Sequence, residues 1–408
     1  MVSRRQFLGG SAVLGTCVAM PALAQSQPLR IGMLSVKSGA LAAGGRQMED
    51  GFRLFLKERG ERIAGRAVEF VVADTGGQPA LAKTRAQELV QRANVHVVVG
   101  PTAAFEALAI NDYLQEAAVP FLCCSAAAED LTQRRLNPWF VRTSSTSAQP
   151  CHPLGEHTAR DLGYKKIITI ADDFAFGQEQ TAGFQRTFEA AGGMVVRKLW
   201  APLNVADYGS YISQIGDTDA VFAAFAGANG LRFLRQYAEY GLKAKIPVVG
   251  AMTTVDEGVL HSMGDEAVGI VSAGWYSAAL PGEANQRFVS ELRRQTGVDP
   301  GFYSAGAYSA GLALEAALKA IDGKAEDKQA LIAALRKVEV GNDPRGPWRL
   351  DNYGNPVQNI YIRKTERRDG RLVNTVVKTY ENVSQFWNYK PESFLAAPVY
   401  SRNEPTRL

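Results

Sequence analysis

Histidine and cysteine are scarce in this chain, and their scarcity narrows its chemistry. Four histidines (His96, His152, His157 and His261) and four cysteines are spread over 408 residues, and none cluster at the spacing of metal ligands. His152 and His157 lie five apart, off one helical face. No phosphate loop ending in Gly-Lys-Ser/Thr and no GxGxxG is present. Ser304, in Gly301-Phe302-Tyr303-Ser304-Ala305-Gly306, and Ser309, in Gly306-Ala307-Tyr308-Ser309-Ala310-Gly311, each follow one residue too many for a GxSxG nucleophile elbow. Cys151-His152 reads as surface residues at a helix start, because adjacent side chains rarely face each other. Asp172-Asp173 reads as caps of the turn that follows a strand. Nothing here calls for an enzyme, a metal or a cofactor.

Concentrated charge is also missing. The net charge is +4 and the isoelectric point about 8.8, but basic residues are scattered among acids. The densest group, Arg363-Lys364 and Arg367-Arg368, is interrupted by Glu366 and Asp369, so no stripe suited to nucleic acid forms. Beyond the N-terminus no apolar run approaches the roughly 20 residues that span a bilayer. Residues 1–24 read as an export signal, with Arg4-Arg5, an apolar stretch from Phe7 to Ala22, and a small-x-small site at Ala22-Leu23-Ala24. Ser3-Arg4-Arg5-Gln6-Phe7-Leu8 fits a twin-arginine signal, with a plain secretory signal as the alternative. Three cysteines then remain, Cys123, Cys124 and Cys151, and the odd number leaves at least one free thiol in a monomer. They read as small buried residues, with a bridge from Cys123 or Cys124 to Cys151 left open.

What the chain does have is a regular alternation of strands and helices. Hydrophobic residues make up 46% and charged residues 21% of the composition, and this length suggests two domains. Strands are expected at 29–36, 67–73, 95–100 and 119–124, each followed by an amphipathic helix or turn. The polar stretch 143–148 breaks the rhythm. A second series follows at 166–171, 194–200, 220–224 and 246–250, with a further strand at 268–273. Helices dominate 283–338, and a hairpin is expected around Asp369-Gly370 from extended runs at 359–364 and 372–379. Such alternation predicts an α/β fold of doubly wound parallel sheets.

The most telling segment is Ile167-Ile168-Thr169-Ile170-Ala171-Asp172-Asp173-Phe174-Ala175-Phe176-Gly177. It reads as a strand running into a helix, so its turn falls at the carboxyl edge of a sheet, where open α/β sheets bind ligands. Phe176 stands there as a large apolar ring. The segment resembles the periplasmic solute-binding proteins of the leucine/isoleucine/valine-binding family. Further resemblances follow in order: Ser38-Gly39-Ala40-Leu41, Val97-Val98-Val99-Gly100-Pro101-Thr102, the run from Pro120 to Thr132, Pro300-Gly301-Phe302-Tyr303, and Arg345-Gly346-Pro347. Together they cover nearly the whole chain after the signal.

The resemblance implies a type I periplasmic binding protein fold of two lobes joined by three hinge crossings, near Thr143, Trp275 and Arg345-Gly346-Pro347. Lobe 1 is expected at 25–145 plus 276–346, lobe 2 at 146–275 plus 347–385, and a tail at 386–408 packed on lobe 2. It further implies a ligand held between lobes as they close, then delivered to the membrane permease of an ABC importer, by a monomeric protein. The implied pocket consists of Ser38, Thr102, Ala103, Ala104, Ser125, Ala126 and Ala127 on one side, with Phe176, Ala226, Met252 and Tyr303 completing it. Ala104 N–H and the Thr102 or Ser125 hydroxyls would hold a carboxylate; N-capping by Thr102 and Ser125 is the compatible alternative. Amino-acid binders of the family carry an acid where this chain has Met252, and a tyrosine where it has Ala226. A buried ammonium without a carboxylate would cost several kcal/mol. The resemblance therefore points to the branch that takes small carboxylates with an apolar or aromatic body. Asp256 lies close enough to keep a branched-chain amino acid as an alternative, and a ligand-sensing protein for a separate receptor is a further one.

Overall fold

The computed structural model describes residues 27–404, so the expected export signal at 1–24 lies outside the described residues. The fold is α/β, built on two sheets. The first contains β1 (Leu29–Ser35), β2 (Arg62–Ile63), β3 (Arg66–Asp74), β4 (Val97–Val99), β5 (Phe121–Cys123) and β6 (Phe140–Arg142), in the order β2-β3-β1-β4-β5-β6. All its pairings are parallel except the β2–β3 hairpin. The second contains β7 (Lys166–Asp172), β8 (Met194–Ala201), β9 (Ala220–Ala224), β10 (Val248–Ala251), β11 (Val271–Gly274), β12 (Glu339–Val340), β13 (Trp348–Leu350), β14 (Pro356–Arg368) and β15 (Arg371–Val383). Its order is β12-β13-β14-β11-β10-β9-β7-β8, with β15 alongside β14. Strands β7 to β11 run parallel, and β12 to β15 add an antiparallel edge.

The central strands are apolar throughout because helices cover both faces. Every residue of β4 (Val97, Val98, Val99) and of β9 is buried. Helix Ala42–Glu58 buries Met48, Phe52 and Phe55, the face its spacing marked. The expected hairpin forms as β14–β15, with Arg368 opposite Arg371 and positive φ at Asp369 (47°) and Gly370 (77°). Four short strands, β2, β6, β12 and β13, add to those expected. All three cysteines among the described residues are free and buried. Cys151 and His152 do begin a helix, Cys151–Arg160, but both are buried rather than on the surface. His152 Nε2 lies 2.9 Å from the Tyr400 hydroxyl, so the tail covers that helix start.

Residues of three segments expected at the hinge, around Thr143, Trp275 and Arg345, converge on one side chain. The Arg345 guanidinium lies between the rings of Trp275 (4.8 Å) and Trp348 (4.4 Å). Its Nη1 donates to the Thr143 carbonyl at 2.6 Å. Beside it, Gln358 Nε2 donates to the Ser144 carbonyl at 2.7 Å, and Tyr361 Oη donates to the Arg345 carbonyl at 2.6 Å. Beyond β15, Phe386, Phe394 and Tyr400 pack with Ala148 and Ala182. The same tail accepts hydrogen bonds from Arg134, in the segment after β5, at the Phe394 and Ala397 carbonyls.

Candidate functional site

Between the sheets lies a narrow cavity, with about 20 Å³ of space that a water molecule's centre could occupy. Its walls come from segments that follow strand ends. Leu41 follows β1, Thr102 to Ala104 follow β4, and Ser125 to Ala127 follow β5; from the other sheet come Phe174 and Phe176 after β7 and Ala226 after β9. Phe302 and Tyr303, at the start of helix Phe302–Ala320, close the remaining side. Nine of the sequence-expected residues therefore meet at this cavity: Thr102, Ala103, Ala104, Ser125, Ala126, Ala127, Phe176, Ala226 and Tyr303. A wider hollow of about 580 Å³ lies between Arg46, Gln47 and Asp50 on one side and His261 and Ser262 on the other. It misses the strand-end residues where open α/β folds bind ligands.

Local bonding decides what the walls offer. Helix Ala104–Glu116 is capped by its own third residue, because Glu106 Oε2 accepts the Ala103 N–H at 2.9 Å. Thr102 is therefore not the cap. Its Oγ1 accepts the Val36 N–H at 3.2 Å, which leaves its own proton free to donate. The Ser125 hydroxyl donates to the Thr102 carbonyl at 2.8 Å. The Ala104 and Ala127 N–H groups have no partner within the chain among the described residues. A helix first turn leaves such donors open and biased toward an anion. Burial lifts the Glu106 carboxyl above the usual range, against the opposing hydrogen bonds from Thr75 and Ala103.

Among the described residues no carboxylate lines the cavity. Asp172, wholly buried at the end of β7, accepts the Ala226 N–H at 2.8 Å and the Asn229 Nδ2 at 2.7 Å. It fixes the turn after β9 rather than its own turn. Burial pushes its carboxyl up to about 7. Asp256, the acid that would favour an amino acid, accepts the Phe302 N–H at 2.6 Å and the Gly258 N–H at 3.0 Å. Burial pushes it too up to about 7, with Glu257 adding to the shift.

Two expected residues stand away from the cavity. Ser38 is exposed, turned outward where Gly39 takes φ +75°, and Leu41 of the same loop lines the wall instead. Met252 is buried in the 3₁₀ turn Met252–Val255, and its thioether fills the space beside Gly274, where an added Cβ would come within 2.5 Å of Sδ. Three lining residues were not expected: Leu41, Phe174 and Phe302. The signal for them was adjacency, since all three lie inside motifs already marked.

The lobes are closed on one another. The Ala228 N–H donates to the Ala40 carbonyl at 3.3 Å, and the Glu129 N–H to Glu179 Oε2 at 3.2 Å. Ring contacts run the same way: Phe176 stacks on Phe174 at 6.0 Å, and Phe174 meets Phe105 of the opposite lobe edge-on at 5.5 Å.

A two-lobed α/β scaffold with a cavity at facing strand ends defines a solute-capturing protein. The sequence model of the family described as periplasmic binding protein matches residues 28–371, and the chain belongs to that family. It is 30% identical over 367 residues to Leu/Ile/Val-binding protein homolog 6 of Brucella melitensis, covering 88% of this chain and 93% of that one. Among solved structures it resembles an ABC-transporter solute-binding protein of Rhodopseudomonas palustris BisB5 in complex with 3,4-dihydroxybenzoic acid. That match has 35% identity and a TM-score of 0.84, over 88% of this chain and 98% of the other. It also resembles one from Rhodopseudomonas palustris HaA2 in complex with p-hydroxybenzoic acid, with 30% identity and a TM-score of 0.82 over 88% and 99% of the two chains.

Proposed function

We propose that this chain is the solute-binding subunit of an ABC importer and that its ligand is a small aromatic carboxylate. One observation carries the reading. The cavity joins the open Ala104 and Ala127 N–H groups and the Thr102 hydroxyl to a wall of Phe174, Phe176, Phe302 and Tyr303, with no acid on its lining. The donors suit a carboxylate and the rings suit an apolar, planar body. The solved relatives that hold hydroxylated benzoic acids support the same ligand class. Closure hands the loaded protein to a permease, with no chemical conversion of the solute. Residues 1–24 direct a monomeric protein to the periplasm, by the twin-arginine route.

The competing reading, a branched-chain amino acid, is favoured by the names of the curated relatives. It must leave the ammonium unpaired, because Asp172 and Asp256 are both engaged off the cavity wall. Thermal unfolding with a ligand panel separates the two. A ligand at 100 times its dissociation constant stabilises the folded state by about 2.7 kcal/mol. Benzoate-type acids are expected to raise the melting temperature and leucine is not; the reverse pattern rejects the proposal.

A further inference from the structure

Glu106 stands behind the amide end of the cavity, wholly buried in the first turn of helix Ala104–Glu116. Its Oε2 accepts the Ala103 N–H at 2.9 Å, and the Thr102 N–H faces the same carboxyl. The two N–H groups before Ala104 are thereby turned to Glu106, and the Ala104 N–H is left for a ligand. The other carboxyl oxygen, Oε1, meets the Thr75 hydroxyl, which also lies 3.2 Å from the Ser35 carbonyl. That hydroxyl has one proton and two acceptors within reach. With Glu106 ionised, Thr75 donates to Oε1. With Glu106 protonated, the carboxyl donates to Thr75 Oγ1 and the Thr75 proton turns to Ser35. Each protonation state therefore keeps its hydrogen bonds without a change of geometry.

Among the described residues no lysine, arginine or histidine bonds to Glu106, and the charged neighbour that acts on it is another acid, Asp74 at the end of β3. The cations of the adjoining segments are engaged elsewhere, Lys37 with Glu49 at 3.3 Å and Arg85 with Glu88 at 2.7 Å. A ligand carboxylate at the Ala104 N–H would place a second negative charge at the same helix end. Two carboxylates that share a site resist being ionised together. We propose that Glu106 is a positioning residue that sets the charge of the carboxylate site, taking up a proton from solvent as the anionic ligand binds. This rests on the site assigned above and adds a proton linkage to it. Burial, which already lifts the Glu106 carboxyl, works in the same direction.

The test is calorimetric titration of the mature protein with benzoate between pH 5 and pH 8, in buffers of different ionisation heat, which counts protons taken up per ligand bound. Glu106→Gln keeps an acceptor for the Ala103 N–H and a donor toward Thr75, and so imitates the protonated acid. Other buried acids that titrate on closure contribute equally to both proteins. The unchanged protein is expected to take up more protons per benzoate than Glu106→Gln. At pH 8 the variant should bind benzoate roughly tenfold more tightly than the unchanged protein, the scale of one like-charge contact removed, and at pH 5 the two should draw together. Thr75→Val, which deletes the acceptor for the Glu106 proton, should also lower the uptake. Equal uptake in the unchanged protein and either variant overturns the proposal, as does weaker binding by Glu106→Gln at every pH, which would mark a purely structural role. If the unchanged protein binds no benzoate at any pH, the site assignment itself falls and the proposal with it.

Discussion

Phe176 owes its place in the cavity to where helix Ala175–Ala190 starts. The ring projects from the first turn, beyond the reach of the sheet, and is 8% exposed. Phe174 stacks on one side of it, so the remaining surface is free to cover a ligand. Replacing Phe176 by Ala is expected to weaken binding of an aromatic acid by about 2 kcal/mol, about 30-fold, as removal of a central aromatic contact does. The melting temperature of the unliganded protein should fall as well, because the ring is buried, and titration calorimetry beside thermal unfolding checks both. A loss of stability with affinity retained would remove Phe176 from the site. The expected residues that reach the cavity are those whose direction follows from a strand end or first helical turn, as for Thr102, Ser125, Phe176 and Tyr303. Those that lie away from it sit in turns. Whether Ser38 or Leu41 faces inward depends on the left-handed backbone at Gly39, and whether Met252 faces the ligand or the core depends on a single 3₁₀ turn. Neither leaves a periodic trace in the sequence.

Among the elements, the long ones could be read from the sequence because burial imposes a period on them. Strands β2, β6, β12 and β13 are two or three residues long, too short to show one, and form only because a neighbouring strand offers hydrogen bonds. The resemblance implies hinge crossings near Thr143, Trp275 and Arg345; the convergence of these three on one guanidinium is a tertiary fact that no sequence pattern carries. One element boundary bears directly on closure. Gly227 precedes helix Ala228–Glu239 with φ +58°, and a Cβ there would lie 2.2 Å from the Ala40 carbonyl oxygen of the opposite lobe. Gly227→Ala is therefore expected to hold the lobes apart, through a steric clash and an unfavourable left-handed backbone together. Affinity should fall more than tenfold, and the contraction on ligand binding measured by small-angle X-ray scattering should disappear. Normal contraction in this variant would mean that Gly227 and Ala40 do not meet in the closed form.

For the molecule as a whole, closure buries acids that face one another. Glu129, in the segment after β5, and Glu179, on the helix after β7, are both buried where the lobes meet. Glu179 Oε2 accepts the Glu129 N–H and the Ser147 hydroxyl (2.7 Å), while Glu129 Oε1 accepts the Ala148 N–H at 2.8 Å. Arg142 is the cation near both, and Tyr400 and Cys151 also face Glu129. Burial pushes the Glu129 carboxyl up to about 7, against the hydrogen bonds it accepts and Arg142. Glu179 is raised well above its ordinary value, by burial first and by Glu129 second. A raised carboxyl means that the closed, folded state holds a proton the unfolded chain releases near pH 4. The stabilisation is complete below that pH and is lost as pH rises through about 7. Asp172 and Asp256, also raised to about 7, add to it with the same sign. The melting temperature should therefore fall by several degrees between pH 5 and pH 8, and ligand affinity should be weaker at pH 8 than at pH 6. Glu179→Gln keeps an acceptor for the Glu129 N–H and the Ser147 hydroxyl while removing the titration. It is expected to raise the melting temperature at pH 8 and to flatten the pH profile, whereas a profile as steep as that of the unchanged protein would show that this pair holds no proton in the closed form.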